Sequence, residues 1–419
     1  MTGRVVRIEK LAGTGEGIAR TAEGVGFIDR ALPGELVETN VYEVRKRFWR
    51  GGLVAVREPS PSRVGGPHAS CAGCDWAHFD LGAAREAKRD LFLETLRRIG
   101  KIDSDAFVAP EVAGSPPHYR LRARLHVSES GGAVAIGFFA PGTHRVVSAE
   151  TCEALSPETR AALPGLQSAI AGSGVSELAL LEDLSGSRRL VQAAFAGDPA
   201  SASRLAERLS GVVDGVRIVD AEGRTLVQRG DRSLSLEVGG RAYTLSARTF
   251  FQANRHLVGM LQADVAAEAR QAERGEALDA FGGVGLFAGA LLDAGHRAVS
   301  VEADAGAIAD ARKTRELWAD RERWEIQTSP VAEFLAAEDR SFSCVVADPP
   351  RAGLGAELAG RLSKRAKELF VYVSCDPATL ARDLPAVLAE GFVVRRARLY
   401  DLFAFTHRVE ALVSLERAV

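Results

Sequence analysis

No run of about 18 consecutive apolar residues occurs in this chain of 419 residues, so none of its segments is expected to span a membrane. The opening stretch, MTGRVVRIEKLAGTGEG, lacks the apolar core of a secretory signal, and a cytoplasmic protein is expected. Five cysteines over such a length do not make a disulfide framework, which leaves reduced thiols as the simpler reading. Charge of one sign is also lacking: 53 Lys and Arg face 55 Asp and Glu, for a net charge of −2. That balance speaks against a uniformly basic surface but permits local patches. There is no internal repeat and no low-complexity tract. What is present, 46% hydrophobic and 26% charged residues, describes a soluble globular protein too long for one ordinary core.

Residues 1–60 alternate short β-type runs (GEGIAR, GVGFIDRALPGELVETNVYEV, WRGGLVAVRE) with glycine turns, which predicts a small barrel. PSPSRVGGP reads as a linker, and residues 61–110 hold Cys71, Cys74 and a helix with apolar spacing Ala84, Ala87, Leu91, Leu96, Ile99 that stops at Gly100. Residues 111–245 read mainly as strands, interrupted by one helix near 199–210. From 246 to 419 strands and helices alternate, which predicts a doubly wound, Rossmann-like α/β domain with a parallel sheet. Two clusters, Arg45-Lys46-Arg47-Phe48-Trp49-Arg50 and Tyr119-Arg120 with Arg122 and Arg124, suit phosphate contact and base stacking when taken together.

In LDAFGGVGLFA, Gly282, Gly283 and Gly285 follow a strand and open a helix, where bare backbone can approach a ligand closely. Glu302 ends the next strand, placed to accept ribose hydroxyls of an adenosine group. Gly-Gly-x-Gly is not the G-x-G-x-x-G that cradles a pyrophosphate. The D-x-F-x-G-x-G pattern resembles instead the first motif of S-adenosylmethionine methyltransferases, and Asp348 in ADPPR, closing the fourth strand, agrees with it. In VYVSCDPATLARDL, Cys375 sits at the end of an apolar strand, and the helix starting near Pro377 is expected to lower its thiol pKa. Glu410 is a carboxylate interrupting a strand-like run in THRVEALVSL and is the candidate base.

At these residues the sequence resembles the RNA uracil-5 methyltransferase family, in the ribosomal-RNA-type branch with an N-terminal TRAM domain, over almost its whole length. The resemblance implies a class I methyltransferase domain behind a TRAM, OB-like RNA-binding barrel and a mainly β central domain. TFFQAN implies that Gln252 touches the cofactor, and Phe281, Gly283, Gly285, Glu302 and Asp348 match cofactor-site positions. SCDPATLARDL gives Cys375 the nucleophile role and THRVEALVSL gives Glu410 the proton-acceptor role. Carbon 5 of uracil attacks a sulfonium methyl group only after a thiolate has added to carbon 6, which is why this chemistry needs a cysteine. Cys71, Cys74 and Cys152 match three of four ligands to a [4Fe–4S] cluster.

The departures fall mainly on that cluster. Gly65 stands where its first cysteine is expected, with His68 the only nearby substitute, so a labile cluster or none is expected. Leu286, Ser329, Ala404 and Arg408 also differ from the family pattern. An exocyclic-amine methyltransferase would share Asp-Pro-Pro but needs no cysteine. A cytosine-5 enzyme would surround its cysteine differently, and an RNA-binding protein with a degenerate domain would not need Cys375, Glu410 and Glu302 together. The expected partner is RNA, ribosomal ahead of transfer RNA, bound by a monomer.

Overall fold

The computed structural model describes residues 3–65, 73–103 and 110–418. Six strands open the chain: β1 (Gly3–Arg7), β2 (Lys10–Leu11), β3 (Gly17–Thr21), β4 (Gly24–Asp29), β5 (Leu36–Val44) and β6 (Phe48–Glu58). They form one sheet in the order β1-β5-β6-β4-β3-β2. Val6, Ala19, Ile28, Val37, Val41 and Trp49, drawn from strands across that order, share one apolar cluster with Ile8 of the turn after β1. Alternation along β6 decides the fate of the first basic–aromatic cluster. Trp49 turns into the barrel core at 1% exposure, while Arg50 on the other face pairs with Glu16. The expectation of free stacking aromatics there is corrected accordingly, since Trp49 is occupied by packing.

Helix α1 (Leu81–Thr95), capped by the Asp80 carboxylate, runs into a π-turn over Leu96–Gly100 and ends with Lys101 in the left-handed region. Strand β7 (Val112–Ala113) then joins the last sheet of the chain, described below. The middle of the chain forms a seven-stranded sheet, order β10-β9-β8-β11-β12-β13-β14, from β8 (Arg122–Ser130), β9 (Ala133–Phe139), β10 (Val146–Ser148), β11 (Val175–Glu182), β12 (Arg189–Phe195), β13 (Gly215–Val219) and β14 (Thr225–Gly230). Two helices pack on it, α2 (Pro157–Ile170) and α3 (Pro199–Ser210). The second was expected; the first was not, because Pro164 and Gly165 interrupt its pattern. The second basic–aromatic cluster is also corrected. Tyr119 is buried, with its hydroxyl donating to Ala404 O, Arg120 lies half-buried over the Tyr119 and Phe138 rings, and Arg122 donates to Ala247 O and Arg248 O. Only Arg124 of that group is exposed.

A hairpin of β15 (Leu234–Val238) and β16 (Arg241–Leu245) leads into the alternating part, where its apolar residues join the core beneath the last sheet. That part contains α4 (Val258–Ala269), β17 (Glu276–Ala280), α5 (Leu286–Asp293), β18 (Arg297–Glu302), α6 (Ala305–Leu317), β19 (Trp324–Thr328), α7 (Val331–Ala337), β20 (Phe342–Ala347), α8 (Gly355–Arg365), β21 (Ala366–Ser374), α9 (Pro377–Leu388), β22 (Phe392–Tyr400) and β23 (Glu410–Arg417). The sheet order is β19-β18-β17-β20-β21-β23-β22-β7, parallel from β19 to β21, with β23 antiparallel between β21 and β22. Order reverses between β17 and β20, so the crevice beyond their carboxyl ends is the ligand-bearing edge. Among the described residues, no helix is long and apolar enough to cross a membrane.

Candidate active site

The first βα turn is built by backbone that only certain residues tolerate. Gly285 has φ 95°, and a Cβ there would stand 2.3 Å from the Trp324 ring. Phe281 adopts φ 67°, which is costly for a side chain of that size and marks a turn fixed by its surroundings. The next strand end meets this turn directly. Glu302 accepts from the Gly283 amide at 3.0 Å with one oxygen, and from the Ala303 and Asp304 amides at 2.7 Å with the other. A Cβ on Gly283 would meet nothing within 4 Å, so open space lies over this turn.

Behind it stand two acids, Asp348 and one that the reading of the motif did not single out, Asp279. Asp279, at 0% exposure, accepts from the Ala288 amide at 2.9 Å and from the Ser300 hydroxyl at 3.3 Å, while its Oδ1 has no partner. Burial, reinforced by the charges of Asp348 and Glu302, pushes its carboxyl up to about 8. Asp348, just past β20, is pushed up to about 7 by burial and accepts from Gln252 Nε2 at 3.0 Å. Open space over a glycine turn, an adjoining carboxylate and a buried acid with one unpartnered oxygen fit a nucleoside-bearing cofactor that carries positive charge. The residues on hand therefore fit S-adenosylmethionine, and Gln252, Phe281, Gly283, Gly285, Glu302 and Asp348 stand at one edge of the sheet.

The two candidate chemical groups arrive on neighbouring strands. Ser374 pairs with Ala411 in the antiparallel β21–β23 ladder, which sets Cys375 and Glu410 at the same end of the sheet. Glu410 is buried and its Oε1 has no hydrogen-bond partner; burial and the Asp348 charge raise its carboxyl well above the usual range, opposed by Arg351. The Cys375 thiol is half-buried and pushed up to about 11 by burial, then by the charges of Glu410 and Asp348, again opposed by Arg351. The expectation of a thiol acidified by α9 is thus corrected. The amides of Ala378 and Thr379 at that helix start already bond the Asp376 carboxylate, and the charges that act most on the thiol, those of Glu410 and Asp348, are negative. Arg351, three residues past Asp348 in ADPPR, was missed because nothing in the spacing shows which way an exposed arginine turns.

Sequence reading also missed what holds the loop from Asp401 to Val409. Lys88 of α1 pairs with Asp401 and donates to Phe403 O, and Arg85 bonds Asp401 and Ser115 O. Asp75 bonds His407, Trp76 N donates to Phe405 O, and Asn254 Nδ2 donates to Leu402 O. The partners of this loop lie at least 148 residues from it in the chain, out of reach of any local pattern.

The proposed cluster ligands fare differently. Cys74 and Cys152 come together, buried, in one cluster with Tyr119, whereas Cys71 and His68 lie outside the described residues. Gly65 is exposed, with nothing within 4 Å of a Cβ placed there. Among the described residues no three His, Cys, Asp or Glu side chains gather to hold a metal ion. Among the described residues two thiols stand near each other, where four normally hold such a cluster.

A doubly wound sheet in this order, with a glycine turn and an acid at the second strand end, defines a class I methyltransferase domain. A family model described as tRNA (Uracil-5-)-methyltransferase matches residues 333–418. A 23S rRNA (uracil(1939)-C(5))-methyltransferase, RlmD, of Nitrosococcus oceani is 32% identical, the match covering 98% of this chain and 95% of the relative. An RNA methyltransferase of Streptomyces avermitilis, described no further, is also 32% identical over 99% of this chain and 98% of its own length. In fold the chain is similar to the Pyrococcus abyssi tRNA (uracil-54, C5)-methyltransferase, solved with S-adenosyl-L-homocysteine, at TM-score 0.78 and 22% identity over 98% of this chain and 99% of that one. The chain belongs to the RNA uracil-5 methyltransferase family, whose members methylate carbon 5 of uracil in RNA using S-adenosylmethionine.

Proposed function

We propose that this enzyme methylates one uridine of 23S-type ribosomal RNA through a covalent adduct between Cys375 and carbon 6 of the base. The observation that carries the mechanism is the meeting of Cys375 and Glu410 at one sheet end, beside Asp348. The Cys375 thiolate adds to carbon 6, and the carbon 5–carbon 6 π electrons move into an enolate whose carbon 5 is nucleophilic. S-adenosylmethionine, when bound, supplies the methyl group that carbon 5 takes. Glu410 then removes the proton from carbon 5, the double bond re-forms, and the bond from sulfur to carbon 6 breaks. Gln252 steers Asp348 by its hydrogen bond, and Glu302 with the Gly283 turn offers the cofactor's nucleoside its contacts. Asp348 and Glu410 raise the thiol in the cofactor-free protein, and these are the charges a sulfonium offsets.

Ribosomal RNA is favoured by the near full-length similarity to the Nitrosococcus oceani relative, whose name specifies that RNA. The barrel of β1 to β6 serves as a TRAM-type RNA-binding module, and the protein acts as a cytoplasmic monomer. The family model, described for transfer RNA, supports a second reading in which the uridine lies in tRNA. Nucleoside mass spectrometry of rRNA and tRNA from cells with and without the gene separates the two. One 5-methyluridine is expected to vanish from 23S-type rRNA and to map to a single position; loss from tRNA alone replaces the first reading with the second, and no loss refutes both.

A further inference from the structure

The cavity that holds the Cys375 thiol, about 750 Å³, is not confined to the methyltransferase sheet. Barrel strands β3 and β4 form one wall through Ile18 and Phe27, α1 and its π-turn form another, and the loop before β23 closes it. Six basic side chains face this space against two acidic ones. Four of the six are already paired: Lys10 with Glu94, Arg20 with Glu9, Arg50 with Glu16 and Lys88 with Asp401. Both acids are engaged too, since Asp376 caps α9. The remaining cations are Arg98, exposed on the π-turn, and Arg408, half-buried on the closing loop. Among the described residues neither side chain has an ion-pair or hydrogen-bond partner.

A uracil stacked among its neighbours cannot present carbon 6 to a thiol at the bottom of a cavity; the nucleotide must be turned out of its stack. Its flanking phosphodiesters then enter the same cavity, each bringing a negative charge. Guanidinium groups answer that demand better than ammonium groups because their fork matches two phosphate oxygens. We infer that Arg98 and Arg408, on separate walls of this cavity, bind the phosphates on either side of the target uridine and so hold the turned-out nucleotide over Cys375. The inference rests on the reading of RNA as substrate. Arg408 is also a position at which the chain departs from the family pattern, so this anchor belongs to this chain's own arrangement.

The test uses the full chain with an unmodified 23S rRNA transcript and, in parallel, an unmodified tRNA transcript, the RNA that is methylated being the one analysed. Arg98→Gln and Arg408→Gln should each weaken binding about three- to tenfold near physiological salt and reduce the slope of log affinity against log salt by about one. Arg98→Lys and Arg408→Lys should recover the slope but only part of the affinity, and S-adenosylhomocysteine should bind all variants equally. Arg312→Gln, on α6 outside the cavity, should change nothing. Slopes equal to the parent's in both glutamine variants, or an equal drop in the Arg312 variant, would overturn the inference. A parent that methylates neither transcript overturns the underlying reading instead, and that is visible before any variant is compared.

Discussion

Lys88 and Asp401 form an ion pair at 1% side-chain exposure each, joining α1 to the loop that delivers β23. Burial holds the Lys88 ammonium below its ordinary pKa, with Asp401 the main opposing influence. A pair so placed adds less stability than its attraction suggests, yet removing one member strands the other. Lys88→Met should therefore destabilise the protein by about 3 kcal/mol, with Arg85 left as the remaining partner of Asp401. Lys88→Met combined with Asp401→Asn should recover much of the loss. Urea unfolding followed by tryptophan fluorescence checks both, and a double variant less stable than the single one would remove the ion pair from the explanation.

Cys375→Ala should abolish methylation while S-adenosylmethionine still binds, as read by calorimetry, because the thiol faces the base. RNA containing 5-fluorouridine should be trapped covalently by the parent and not by the variant, seen as a shifted band on denaturing gels. Residual methylation by the alanine variant at parental rate would exclude the adduct.

The raised thiol gives a pH dependence of definite sign. With Cys375 pushed up to about 11, the thiol is protonated at neutral pH and ionises as pH rises, so iodoacetamide labelling of the ligand-free protein should climb about tenfold per pH unit below that midpoint. Glu410→Gln removes a nearby negative charge and should bring the midpoint down. Peptide mass spectrometry at Cys375 reads it; a midpoint below 8.5, the ordinary thiol value of about 8.5, would mean that the helix field wins after all.

Glu410→Gln also bears on the order of events. If the carboxylate acts after methyl transfer, the variant should accumulate a protein–RNA adduct already carrying the methyl group, measurable with a radiolabelled methyl donor. An adduct without label places Glu410 earlier in the reaction.

For the cysteines, aerobic purification should yield far fewer than the roughly four irons per chain of a complete cluster. Iron and sulfide assays on protein prepared with and without oxygen decide it. Four irons that persist in air would show that a ligand outside the three cysteines completes the site.

The alternating half of the chain was legible because a doubly wound sheet writes its order into the sequence: strand, glycine turn, helix, strand, acid. The position of Cys375 was legible for the same reason, since it follows an apolar strand, whereas Glu410, read as a carboxylate interrupting a strand-like run, instead opens β23 and is buried. Helix α2 was not, although Ser156 followed by Pro157 is a helix start; Pro164 and Gly165 inside it broke the apolar spacing that would have extended it. The basic clusters misled because counting charges ignores the period of a strand, which sends Trp49 and Arg50 to opposite faces. The thiol misled because a helix start was considered without the Asp376 carboxylate that occupies it or the acids across the sheet.

Strand β23 fills the gap between β21 and β22, both of which precede it in the chain. Until it inserts, β22 has no neighbour on that side, and the carboxylate at its first position is absent from the sheet edge. On the reading of Glu410 as the base, the strand that completes the sheet also carries the group that lets the product leave. A substitution that weakens the β21–β23 pairing is then expected to lower stability and product release together.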